Sequence, residues 1–89
     1  MRKQKAVIAA AQAYMEEIIA RFPGVEPEVV SEPVAGADVW IRVKIPKEKW
    51  DAWTSVLEAT VDLNDRYYQE RGVNIVSTVV DKEAVFLPT

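Results

Sequence analysis

Asp38-Val39-Trp40-Ile41-Arg42-Val43-Lys44-Ile45-Pro46 decides the fold, because the apolar pattern changes period at its end. Val39, Ile41, Val43 and Ile45 fall on one side of an extended chain, and Trp40, Arg42 and Lys44 on the other. A period of two marks a strand with one face on a core. From Lys47 to Arg71 the apolar residues recur every three or four positions, which is the period of a helix. Pro46 suits the entry of that helix, and Gly72 tolerates the left-handed backbone that ends one. The middle of the chain is a strand feeding a helix, and the flanking segments must pack on that pair.

Working outward, residues 3–22 read as an amphipathic helix with Ile8, Ala11, Met15, Ile18, Ile19 and Phe22 on its apolar stripe. Val7 and Tyr14 widen the stripe, and Pro23-Gly24 stops the helix. Ala9, Ala13 and Ala20 form a small-residue ridge on the opposite side, a second surface that allows close approach. The strand after this helix covers 25–32. A three-residue loop, Val34-Ala35-Gly36, pairs Pro33 with Ala37 and fixes the register by counting. Val29 then faces Ile41 and Val25 faces Ile45, while Val30 meets Trp40, Glu28 meets Arg42 and Glu26 meets Lys44. Pro27 and Pro33 cannot donate to a ladder, so this strand belongs at the sheet edge.

In the second helix Trp50, Trp53, Leu57, Val61 and Tyr68 read as the buried stripe, flanked by Val56, Thr60, Leu63 and Tyr67. The last long strand, 73–80, is apolar on both faces, as expected of a strand covered on both sides. A turn at 81–83 precedes a short fourth strand over 84–87. The expected architecture is one α+β domain over residues 1–89, a sandwich of order α-β-β-α-β(-β). Its mixed three- or four-stranded sheet carries two helices on one face. The crossover through the second helix should be parallel and right-handed.

Composition narrows the chemistry. The 89 residues include no cysteine, so disulfides and thiolate metal sites are excluded. They include no histidine, the commonest general base and zinc ligand. The net charge of −3 argues against non-specific binding to nucleic acid or anionic membrane. No segment is apolar enough to span a bilayer. The basic start, Arg2, Lys3 and Lys5, precedes an apolar run that Gln12, Glu16 and Glu17 interrupt, so it reads as a solvated helix start rather than a secretory leader. A cytoplasmic location is the expectation.

Asp51, Glu58, Asp62 and Asp65 line one side of the second helix, where carboxylates usually form a solvated face rather than a metal or acid–base site. Trp50 and Trp53 fall on the apolar stripe and read as structural. Trp40 points away from the aliphatic face of its strand and needs another partner. Asn64 interrupts the stripe of the second helix, and with Trp53 it would wall a small-ligand cleft against the sheet.

The element order resembles the core of nucleotidyltransferases, in which a strand carrying Asp-x-Asp precedes a helix and a strand with a third carboxylate. Here Asp38-Val39-Trp40 has tryptophan at the second acidic position, residues 74–80 hold no carboxylate, and the Gly-Ser loop is missing. That resemblance implies a core without its catalytic metal site, serving as an accessory subunit. The order also resembles KH-type RNA-binding domains, but the Gly-x-x-Gly loop is absent and the charge has the wrong sign. Neither likeness of order carries a function.

The expected function is therefore non-enzymatic, with neither catalytic nor metal residues and no cofactor. It is association with a second copy or another protein through the open sheet face, at Val30, Trp40, Arg42, Val76, Thr78 and Val80. The alanine ridge of the first helix is the alternative surface. The alternative functions are a small-ligand module using Asn64 and Trp53, or the accessory subunit named above.

Overall fold

The computed structural model describes residues 2–32 and 34–83. The elements are α1 (Arg2–Arg21), β1 (Glu26–Val30), β2 (Val39–Ile45), a 3₁₀ segment (Lys47–Ala52), α2 (Trp53–Arg71) and β3 (Ile75–Asp81). The sheet order is β1-β2-β3, antiparallel between β1 and β2 and parallel between β2 and β3. The fold is α+β, with two helices and a three-stranded mixed sheet. The expected fourth strand at 84–87 lies outside the described residues. The Cα envelope is only 16 Å in its shortest dimension. That depth accommodates one helical layer on one sheet, since such layers stack about 10 Å apart.

The hairpin register is the one the charge pairs predict: Glu26 opposite Lys44, Glu28 opposite Arg42, Val29 opposite Ile41 and Val30 opposite Trp40. Gly36 turns the loop at φ +81°, and the Ala37 N–H donates to the Val34 carbonyl at 3.0 Å. The ladder begins at Glu26, so Val25 does not pair with Ile45, although both are buried in the core. The expected pairing at Pro33 lies outside the described residues. β3 starts at Ile75, two residues later than the apolar run suggests, because Asn74 is engaged at the strand's entrance.

Both helices take a rotation different from the expected one. In α1 the core contacts centre on Ala10, Ala11, Tyr14 and Ile18, while Ile8 and Ile19 are exposed. In α2 the buried residues are Val56, Ala59, Thr60, Leu63 and Tyr67. The stripe expected inside is largely outside: Trp50 is 46 %, Leu57 46 %, Val61 60 % and Tyr68 59 % exposed. The reason is packing: the Tyr67 ring meets Tyr14 of α1 edge-on at 5.5 Å, and Val56 and Leu63 join the same core, so that face of α2 turns inward. Residues 47–52 form a tighter 3₁₀ turn rather than α-helix, which takes Trp50 out of the helix altogether. Trp53 is partly buried against the core, with the Trp50 ring tilted on it at 4.5 Å between centroids.

Candidate functional site

Across the uncovered face of the sheet the residues stand in three rows. The first is Val30, Trp40 and Val76; the second is Glu28, Arg42 and Thr78; the third is Glu26, Lys44 and Val80. All six expected interface residues lie on this face, and each is partly buried. Their side chains are not a continuous apolar patch. The Trp40 indole N–H donates to the Thr78 hydroxyl at 3.0 Å, and the Arg42 guanidinium stacks over the same ring at 5.4 Å. Arg42 and Lys44 both reach Glu28, at 3.2 and 3.0 Å, and Lys82 pairs with Glu26. The Glu28 carboxyl is held below the usual glutamate range, chiefly by the hydrogen bond from Lys44. The face is an apolar row, Val30–Trp40–Val76, with Val80 set beyond Thr78, beside an ionic cluster.

The other expected site residues lie apart. Asn64 turns inward and its amide donates to the Ser77 hydroxyl on β3 at 3.0 Å, leaving its buried Oδ1 without a protein donor. The Tyr14 hydroxyl approaches the same region, 3.5 Å from the Thr60 carbonyl, and burial pushes its pKa up to about 12. Trp53 is at the start of α2, roughly 16 Å away along the helix at 1.5 Å per residue.

Between α1 and α2 runs an open groove of about 460 Å³, walled by Ala13, Ala20, Glu17, Arg66, Tyr67 and Glu70. Two members of the alanine ridge thus face charged side chains. Arg66 donates to both oxygens of Glu17 at 2.6 and 2.5 Å, and the Tyr67 hydroxyl donates to one of them at 2.7 Å. Burial tends to raise the Glu17 pKa, but these hydrogen bonds outweigh it and the net shift is downward. Burial and the same carboxylate push Tyr67 up to about 12. The cluster closes on itself as a tie between the helices.

Sequence reasoning missed Asp38 and Asn74 as a pair. The Asn74 N–H donates to the Asp38 carboxylate at 2.8 Å, and the Asn74 amide donates to the Gly36 carbonyl. This pins the loop before β2 to the entrance of β3. Among the described residues no group of three or more acids is placed to hold a metal ion. No described helix is long and apolar enough to cross a membrane. No protein-family model matches the chain, and no curated protein or solved structure shows significant similarity to it.

Proposed function

We propose that this chain is a non-enzymatic association module that pairs with a second copy of itself through the open sheet face. The observation that supports this is the apolar band of Val30, Trp40, Val76 and Val80, which no described element covers. Soluble proteins seldom leave a tryptophan and neighbouring valines together on an uncovered face unless it meets another surface. The Trp40 N–H is already satisfied by Thr78, so the ring can enter an interface without an unpaired donor. Closed two-fold pairing is the usual outcome for a self-complementary patch. It would set the two bands against each other with the Glu28 cluster beside them, its charges already paired within each copy. The alanine ridge is the weaker surface, because Ala13 and Ala20 open onto charged neighbours.

The test is a Trp50→Phe, Trp53→Phe double variant, in which Trp40 is the sole indole. Diluting the protein should shift its emission to the red as the dimer separates and the ring meets water. Emission independent of concentration, at a wavelength typical of hydrated indole, contradicts the proposal.

A further inference from the structure

The exposed stripe of α2 lies on the side away from α1, for the α1-facing residues of the helix are Arg66, Tyr67 and Glu70. Asn64, beside the stripe, reaches down to Ser77 on β3, so the stripe looks past the outer edge of that strand. Widths explain why. Two packed helices span about 20 Å, whereas three strands at about 4.8 Å spacing span only about 14 Å. The helical layer is therefore wider than the sheet, and the exposed stripe places part of that excess beyond β3.

On the side away from β2, the edge of β3 carries backbone groups that no described strand pairs with. The Lys82 N–H donates to the Ile45 carbonyl, and the Asn74 carbonyl accepts from Asp38 and Val39. In a parallel ladder alternate residues bond to the same neighbour. Even-numbered residues of β3 thus turn to β2, and Ile75, Ser77, Val79 and Asp81 aim their N–H and C=O groups outward. Among the described residues β3 has no strand partner on that side. The two edges of the sheet differ in protection. β1 is blunted by Pro27, Glu26 and Glu28, whereas from Ile75 to Val80 β3 has neither proline nor charge. An edge left flat and apolar is a template for another strand.

Shallow hollows mark the two ends of this border, one lined by Asn74, Asn64 and Tyr68 and the other by Trp50 and Asp81. Between them Leu57 and Val61 line a hollow on the surface of α2 itself. Glu58, Asp62 and Asp65 follow the stripe on its solvent side. A second copy cannot fill this border by pairing β3 with β3. The two overhanging α2 helices would meet well inside the 8–10 Å at which helices pack.

We propose that the slot between the α2 stripe and the outer edge of β3 takes one extended segment of another polypeptide as a fourth strand. That segment is apolar at the alternate positions facing Leu57 and Val61, and basic at its flanks to match the carboxylate row. Main-chain hydrogen bonds to Ser77 and Val79 supply affinity and the stripe supplies selectivity, as in strand addition generally. The slot is separate from the open sheet face, so either surface can fail while the other stands.

The test uses the full chain with two synthetic octapeptides, one alternating lysine and valine, the other alternating glutamate and valine. The readout is amide exchange by NMR. In the free protein Ser77 and Val79 should exchange faster than Val76, Thr78 and Val80. The lysine peptide should slow Ser77 and Val79 by about tenfold or more, since strand pairing converts open edge amides into bonded ones. Val61→Glu, at an exposed position, should abolish that protection, and Trp40→Glu should retain it. Four results overturn the proposal: Ser77 and Val79 already protected in the free protein as strongly as their neighbours, equal protection by the glutamate peptide, protection by neither peptide at millimolar concentration, or unaltered binding by Val61→Glu.

Discussion

Glu28 stands directly opposite Arg42 across the β1–β2 ladder and also accepts from Lys44, so one carboxylate ties two successive open-face residues of β2 to the edge strand. The pair reports on register. Slipping the hairpin by one residue would carry Glu28 to the helix-covered face, among Ile41, Val43 and Ile45.

This tie has a pH signature. Because the folded-state pKa of Glu28 is lowered, its contribution is present above the ordinary value of 4.5 and is lost as pH falls through the lower folded value. Glu28→Gln should cost well under about 1 kcal/mol at neutral pH, as partly exposed pairs do. It should also make stability fall less steeply below pH 4.5. An acid denaturation series on both proteins checks this, and identical slopes would show that the pair contributes nothing.

The rotation of α2 separates two leucines six positions apart. Leu63 is 1 % exposed and Leu57 46 %. Leu63→Ala should cost about 2–5 kcal/mol through lost burial and a residual cavity. Leu57→Ala should stay within about 1 kcal/mol, as for most surface changes. Urea denaturation midpoints measure both. Equal losses would return Leu57 to the core.

Tyr14 predicts the alkaline limb. Burial favours its neutral hydroxyl, raising the pKa from 10.0 to about 12. The associated stability is whole below pH 10 and drains away as pH climbs toward 12. Tyr14→Phe should cost about 1 kcal/mol or less at neutral pH, given the long 3.5 Å contact to the Thr60 carbonyl. It should flatten the decline above pH 10, followed by circular dichroism. A variant that declines as steeply as the parent would exclude Tyr14 as the titrating group.

The strands were legible because two independent constraints agreed on them. Alternation at Val39, Ile41, Val43 and Ile45 set the faces, and Glu26–Lys44 with Glu28–Arg42 set the register. The helices were less legible because each is apolar over more than one face. Leu57 and Leu63 are equally good candidates for burial by type, and only packing against α1 and the sheet, where Leu63 joins Val56, Tyr67 and Tyr14, decides between them. The apolar residues β3 carries on its open face suggested a strand covered on both sides; among the described residues it is an edge strand with helices on one face. The Asp38–Asn74 link was hidden for a simpler reason: its partners are 36 positions apart, and nothing local announces them.

The central claim, pairing through the open sheet face, is tested most directly by sedimentation equilibrium on the wild type and on Trp40→Glu at high micromolar concentration. Circular dichroism of the variant confirms that it is folded. The expected result is a wild-type dimer and a variant monomer, because the substitution replaces the apolar ring with a charge that must be desolvated in the interface. A monomeric wild type, or a variant that stays dimeric, contradicts the account.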